Sequence, residues 1–128
     1  MSLAKRTAAA LGLGLIFIGS AMAAPQPRHD GTWSVRMVTD SGTCDSSYAY
    51  SIAIDKGNVR YLSGPGDAPT AVSGQIGPNG VVDLDIRRSI AKVDANGRLN
   101  GKTGSGTWQL AMLGCSGRWT AQKTSGSA

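Results

Sequence analysis

The sequence predicts an all-β domain, an antiparallel up-and-down meander of about eight strands with one disulfide. Apolar and polar residues alternate along much of the segment 31–122, which is the pattern of strands with one buried face. Glycine, asparagine and proline interrupt this alternation at short intervals, as expected for tight turns. No stretch combines a helix cap with apolar residues at the 3.6-residue period, so helices are not expected.

The first half of this segment contains four predicted strands. Trp33, Val35 and Met37 share one face of the first strand, and Tyr48 and Tyr50 share one face of the second. Turn residues follow the second strand, and a loop rich in glycine and proline follows the third. The four strands cover residues 32–39, 47–54, 59–62 and 70–76.

The second half alternates most clearly in its first strand. There, Val82, Leu84 and Ile86 point to one side and Asp83 and Asp85 to the other. Because residues two apart share a face of a strand, the apolar set is expected to face the core. The predicted strands of this half cover residues 81–87, 89–93 and 116–122. Between the last two, a segment at 99–102 leads into a strand at 107–112.

Two Asn-Gly pairs, at 79–80 and 96–97, lie at predicted hairpin turns, where a positive φ is required.

The number of strands decides the expected shape of the sheet. The pattern gives eight or nine strands in all. In an eight-stranded barrel the first and last strands are antiparallel neighbours, and the sheet closes between them. With nine strands that closure would be parallel, which a meander does not favour, and a curled two-sheet sandwich is the alternative.

The two cysteines, Cys44 and Cys115, lie just after the first predicted strand and just before the last. In an exported protein such a pair predicts a disulfide. The bond would close a loop of roughly 70 residues and add about 4 kcal/mol by the chain-entropy relation. In an eight-stranded barrel it would lie at the closing seam.

The N-terminal 23 residues have the features of a secretory signal peptide. Lys5 and Arg6 precede an uncharged stretch at 7–18, and Ala21 and Ala23 supply small residues before a cut after position 23. The apolar stretch is too short to span a bilayer. We therefore expect a periplasmic or secreted protein, with no membrane insertion after processing.

The expected domain boundaries follow from this cut. The chain divides into a signal peptide at 1–23, a disordered lead-in at 24–30, a single β domain at 31–122 and a flexible tail at 123–128. Loss of Lys5 and Arg6 leaves eleven basic residues against eight acidic ones, so the net charge falls from +5 to +3. Such a charge is ordinary for a small soluble domain, and we expect no nucleic-acid partner.

Residues that commonly perform catalysis are scarce. The single histidine, His29, lies in the predicted lead-in, and the sequence contains no glutamate. Both cysteines are expected in the disulfide, which leaves no thiolate nucleophile. Without an evident acid-base pair, we expect no enzymatic activity and no cofactor.

Two sets of charged residues are candidates for ion or ligand sites. Asp83 and Asp85 would lie about 7 Å apart on one strand face, a spacing that suits a divalent cation. A solvated outer face accounts for them, so no metal is expected. A basic set in the same region lacks the interleaved aromatic residues that stack on bases, and it is also expected to be solvated. Its members are Arg87, Arg88, Lys92, Arg98 and Lys102.

Six aromatic residues are the candidate ligand-binding set. Each of them lies on the face of its predicted strand that is expected to point into the barrel. In a small barrel, inward aromatic side chains either fill the interior or line a ligand cavity. Because aliphatic volume is scarce in this sequence, we expect them mainly to fill the core, with a lined pocket as the alternative. They are Trp33, Tyr48, Tyr50, Tyr61, Trp108 and Trp119.

Short motifs near both ends of the β domain resemble those of a family of small exported bacterial proteins. Members of that family open with G-x-W, here residues 31–33, and close with C-S-G-x-W-x-A, here residues 115–121. The resemblance implies export and a shared architecture. A looser likeness to avidin-type barrels, which begin near G-T-W and form an eight-stranded meander, implies the fold alone.

These observations together predict an exported, non-catalytic binding protein with an unknown ligand. The expected partner is a small molecule or another exported protein. The alternative is an inhibitor or interaction module for another exported protein, which would use the loop at 64–69 as its contact.

Cleavage of the signal peptide is the first testable prediction. The intact mass of the exported protein should match a chain that begins at Ala24, because Ala21 and Ala23 provide the small residues that signal peptidase requires. Mass spectrometry of the periplasmic and culture fractions measures this. A full-length chain that retains Met1 in the membrane fraction would contradict it.

Overall fold

The computed structural model describes residues 29–126, which form eight strands and one short 3-10 helix. The all-β prediction is confirmed, with eight strands. The elements are β1 (Gly31–Ser41), β2 (Ser47–Asp55), β3 (Asn58–Tyr61), β4 (Thr70–Ser73), β5 (Val81–Arg88), β6 (Ala91–Asn100), β7 (Thr103–Leu110), the 3-10 helix (Ala111–Leu113) and β8 (Cys115–Ser125).

The strands form one antiparallel sheet that curls into a nearly closed barrel. Its order is β3-β2-β1-β8-β7-β6-β5-β4, so β1 and β8 pair, and the meander closes between its first and last strands. The remaining gap lies between β3 and β4. There, Asn58 and Gln75 form an isolated bridge, and the amide of Ile76 donates to the carbonyl oxygen of Gly57 at 2.8 Å.

The predicted disulfide is confirmed. Cys44 and Cys115 are bonded, with 6.1 Å between their Cα atoms and 71 positions between them in the sequence. The bond joins the link after β1 to the first residue of β8. It therefore connects the two strands whose pairing closes the meander.

The structure corrects the predicted turn at 96–97. These residues lie inside β6, where Gly97 pairs with Val82 on one side and Gly106 on the other. The chain turns instead at 89–90 and at 101–102, and the parts of the two predicted strands that lie between these turns belong to one strand, β6. The glycine at 97 has a steric role, because a Cβ there would lie only 2.7 Å from Cζ2 of Trp119.

The ends of the domain also differ from the predicted boundaries. Asp30, expected in the lead-in, is buried, and both of its carboxylate oxygens accept from the amide of Lys56 at 2.9 Å. Lys123, expected in the tail, lies within β8 and donates its amide to the carbonyl oxygen of Lys102 at 2.8 Å. The predicted signal peptide, most of the lead-in and the last two residues lie outside the described residues.

Two tryptophans interlock with two glycines across β7 and β8. Trp108 is paired with Gly117, and Trp119 with Gly106. Directly paired residues share a face of the sheet, so each indole can lie over the strand that carries its glycine partner. The two Nε1–H groups then donate at 3.1 Å to carbonyl oxygens of the next strands, those of Val38 on β1 and of Asn96 on β6 respectively. We call these four residues the Trp-Gly interlock.

A substitution within the Trp-Gly interlock tests its contribution to stability. A Cβ at Gly117 would collide with the carbonyl oxygen of Val38 and lie 2.9 Å from Nε1 of Trp108. We expect Gly117→Ala to lower the free energy of unfolding by about 2 kcal/mol or more, because the barrel closes at this point. Urea denaturation measures the change.

The matched control is Gly77→Ala. Gly77 lies in a turn where a Cβ would make ordinary contact with Val81 at 3.6 Å. Its substitution should alter the free energy of unfolding by no more than about 0.5 kcal/mol. Equal effects of the two substitutions would show that the interlock is not needed for stability.

Candidate functional site

The two ends of the barrel differ in how completely they are filled. At the end where β1 begins, Trp33, Ile54 and Leu99 are buried. The indole Nε1–H of Trp33 donates to the carbonyl oxygen of His29 at 2.8 Å, which holds the preceding residues against this end. At the opposite end, inward-facing residues such as Met37 are only partly buried. We call the first the sealed end and the second the mouth.

Between the sealed end and the mouth lies a cavity of about 300 Å³. Its walls are inward-facing side chains from all eight strands. Nearly all of them are aliphatic or aromatic. Among the described residues that line it, Arg88 is the only charged one. The cavity is therefore an apolar compartment with a single cation at its mouth.

All six predicted aromatic residues line this cavity, but they divide into two groups. Each tryptophan is at most 6% exposed and donates its indole N–H to a main-chain carbonyl, as buried indoles require. The three tyrosines are only partly buried. The structure thus places the tryptophans in the core and the tyrosines near the mouth.

Two of the three tyrosines contact Arg88, and the third stacks on one of them. The ring centroids of Tyr48 and Tyr50 are 6.2 Å apart with nearly parallel planes, and Tyr50 meets the ring of Tyr61 edge-on at 5.8 Å. The guanidinium carbon of Arg88 lies 5.6 Å from the Tyr50 centroid and 5.2 Å from that of Tyr61. These distances are those of cation-π contacts.

Hydrogen bonds fix the position of the guanidinium. Nε of Arg88 donates to Oγ1 of Thr70 at 2.9 Å, and Nη2 donates to Oη of Tyr61 at 3.0 Å. We call Tyr48, Tyr50, Tyr61, Thr70 and Arg88 the mouth cluster.

The loop at 64–69 is attached to the mouth cluster through Asp67. Oδ2 of Asp67 accepts from the amide of Gly64 and from Oη of Tyr61, both at 2.7 Å. The Gly64 amide, followed by the Tyr61 hydroxyl, lowers the pKa of Asp67. The same contact with Asp67 raises the pKa of Tyr61, whereas burial raises the pKa of Tyr50.

The prediction that Arg88 is solvated together with Arg87 is wrong. Arg88 lines the cavity, whereas Arg87 is exposed. The strand pattern could have shown that Arg88 faces inward, since position 88 lies on the same face of the strand as Val82, Leu84 and Ile86.

The other charged candidates lie on the outer face. Oδ2 of Asp85 is 3.8 Å from Nζ of Lys92 and 3.7 Å from Nη2 of Arg87. Within residues 29–126, no three His, Cys, Asp or Glu side chains are grouped so that they could hold a metal ion. His29 is distant from the mouth, because its imidazole lies beside Gly80 near the sealed end.

No family model matches this sequence, and no curated protein matches it either. Along residues 29–126, no helix has the length and apolar character needed to cross a membrane. Function must therefore be inferred from the cavity and the mouth cluster.

The contact between Tyr61 and Asp67 predicts a measurable titration. Tyr61→Phe removes one of the two donors to the Asp67 carboxylate, so the pKa of Asp67 should rise toward its ordinary value of 3.8. It should remain below that value because the Gly64 amide still donates. Carboxyl ¹³C chemical shifts followed against pH measure it.

Asp40 is the internal control in the same spectra. Its pKa is lowered by its hydrogen bond from Arg118, on the outer face, and it should titrate identically in both proteins. An unchanged pKa of Asp67 in Tyr61→Phe would mean that the hydroxyl does not donate to it in solution.

Proposed function

We propose that this protein is an exported, non-catalytic binding protein that holds a small, largely apolar molecule inside its barrel. The observation that carries the proposal is the apolar cavity of about 300 Å³. Small-molecule sites are typically concave, mostly apolar and roughly 300–1,000 Å³ in volume. The cavity therefore suits a ligand at the small end of that range.

The energetics of an empty cavity support the proposal. Apolar side chains that face an empty cavity lose the packing contacts that a filled interior would give them, which is a cost to the fold. Water is a poor occupant, because each molecule needs two to four polar partners, and most of the wall is apolar. An apolar ligand would recover part of this cost.

The scaffold supports a site that exists before the ligand arrives. The disulfide and the Trp-Gly interlock both act on the strands that close the meander. A preformed cavity loses little conformational entropy when it is occupied. Export is supported by the same disulfide, since such bonds persist in oxidising compartments, and by the signal-like residues 1–23.

A non-catalytic role is supported by the positions of the reactive groups. His29 lies beside Gly80 near the sealed end, and both cysteines are bonded to each other. Arg88, the charged lining residue, cannot act as a general base because its guanidinium stays protonated. The other ionisable side chains in the lining are tyrosines, and the hydroxyl of Tyr61 is already bonded to Asp67 and Arg88.

The alternative role, an inhibitor that contacts another exported protein through the loop at 64–69, receives less support. Such a loop would be expected to stand clear of the scaffold. Here, Asp67 attaches it to Tyr61 in the mouth cluster. The loop is better suited to shape the entrance of the cavity.

Octan-1-ol is a suitable neutral probe for the proposal. A saturating small ligand should raise the melting temperature by several degrees, because ligand at about 100 times its Kd adds roughly 2.7 kcal/mol. Ala95→Leu should abolish the rise, since Ala95 is 6% exposed and its added carbons would occupy the cavity. Thermal denaturation monitored by circular dichroism measures both.

Ala71→Leu provides the matched control. Ala71 is exposed on β4 and does not line the cavity, so the same added carbons should leave the effect of octan-1-ol intact. The proposal is wrong if octan-1-ol stabilises none of the proteins, or stabilises Ala95→Leu as much as the wild type.

A further inference from the structure

We propose that the natural ligand is an amphiphile with one anionic group, a carboxylate or a phosphate, that binds Arg88 while its apolar chain occupies the cavity. This inference rests on the proposed binding function and adds the chemical class of the ligand. It follows from three properties of Arg88, namely its position, its lack of a salt bridge within the described residues and its remaining hydrogen-bond donors.

The position of Arg88 is fixed from several sides. It lines the cavity at the mouth and is partly buried. Thr70 and Tyr61 accept hydrogen bonds from its Nε and Nη2, and the rings of Tyr50 and Tyr61 lie against its guanidinium. A guanidinium held in this way is oriented before any ligand binds, so little side-chain entropy is lost on binding.

Arg88 forms no salt bridge with a carboxylate of the described residues, whereas two arginines of the outer face do. On the exposed outer face, Arg118 pairs with Asp40 at 2.8 Å and Arg87 approaches Asp85 at 3.7 Å. Among residues 29–126, no carboxylate oxygen lies within 4.0 Å of the Arg88 guanidinium nitrogens. A partly desolvated cation that makes no salt bridge is costly, and an anionic ligand would lower that cost.

Asp67 interacts electrostatically with Arg88 but forms no salt bridge with it. Its carboxylate is separated from Arg88 by the hydroxyl of Tyr61, which donates to Asp67 and accepts from Arg88. Asp67 is itself exposed and bonded to the amide of Gly64. It therefore orients the Tyr61 hydroxyl toward Arg88 rather than pairing with the cation.

The donor inventory of Arg88 suits an oxyanion. A guanidinium has five N–H donors in a planar fork, and two of those of Arg88 are used within the described residues, one by Thr70 and one by Tyr61. The donors that remain lie on Nη1 and Nη2. Two parallel hydrogen bonds from such a fork match the oxygens of a carboxylate or a phosphate.

The cavity sets the length of the apolar chain. At about 30 Å³ for each water-sized group, a volume of 300 Å³ accommodates roughly ten non-hydrogen atoms. An eight-carbon acid has about this size. Exposed apolar side chains lie on two links at the same end of the barrel as the mouth, where they would contact an entering chain. They are Ile90, Met112 and Leu113.

Calorimetry with matched eight-carbon probes tests the inference. Octanoate and octyl phosphate should each bind the wild type at least about tenfold more tightly than octan-1-ol, because a hydrogen-bonded charge pair adds to the same chain burial. The anion that binds more tightly identifies the headgroup. Octylammonium should bind more weakly than octan-1-ol, since its charge repels Arg88.

Arg88→Gln should reduce the binding of both anions to within about threefold of the octan-1-ol binding measured on the same variant. Arg87→Gln is the matched control, because it removes the same charge from the adjacent, exposed side chain. It should retain the preference for anions. If Arg88→Gln does not fold, the relative affinities of the wild type for the four probes still test whether the ligand carries an anionic group.

The outcomes separate the two proposals. If octan-1-ol binds and the anions bind no more tightly, the headgroup inference is wrong and the proposed cavity function stands. If both arginine variants lose anion affinity equally, the preference comes from overall charge, and the assignment to Arg88 is wrong. If none of the eight-carbon probes binds, both proposals are wrong.

Discussion

The barrel depends on the pairing of two tryptophans with two glycines across β7 and β8. Trp108 lies opposite Gly117 and Trp119 lies opposite Gly106, so each indole occupies space that a side chain on its partner would otherwise fill. The two indole N–H groups reach carbonyl oxygens on β1 and β6. Four consecutive strands are thereby connected by side chains as well as by main-chain pairing, and no buried indole is left without an acceptor.

This arrangement explains why a barrel with three buried tryptophans still contains a cavity. Two of the bulky rings lie flat over glycine-bearing strands on one wall, formed by β6, β7, β8 and β1. The opposite wall carries aliphatic residues such as Ile52, Val72 and Leu84, with tyrosines near the mouth. The aromatic residues therefore both fill the interior and line what remains of it. The two possibilities drawn from the sequence are not exclusive.

The strand periodicity predicted the fold and the inward-facing positions of the six aromatic residues, because both depend on local alternation. The disulfide was predicted from the presence of two cysteines in a chain expected to be exported. Gly97 was misassigned to a turn because its role is visible only across strands, where it makes room for Trp119. Arg88 was misassigned because a charge next to Arg87 suggests a solvated surface. Its partners Tyr61 and Thr70 lie 27 and 18 positions away along the chain, and no local pattern connects them.

The gap between β3 and β4 has a consequence for how fast the barrel can exchange its contents. Near the sealed end, main-chain and side-chain contacts cross this gap, including the bond from Nε2 of Gln75 to Oδ1 of Asn58 at 2.9 Å. At the mouth it is crossed by the hydrogen bond from Arg88 on β5 to Tyr61 on β3. Both side chains are only partly buried, and their rotation breaks side-chain contacts alone, which is a smaller event than the separation of paired strands. The entrance can therefore widen by the motion of two side chains while every ladder of the sheet stays intact, so that entry and release need not wait for any part of the barrel to unfold.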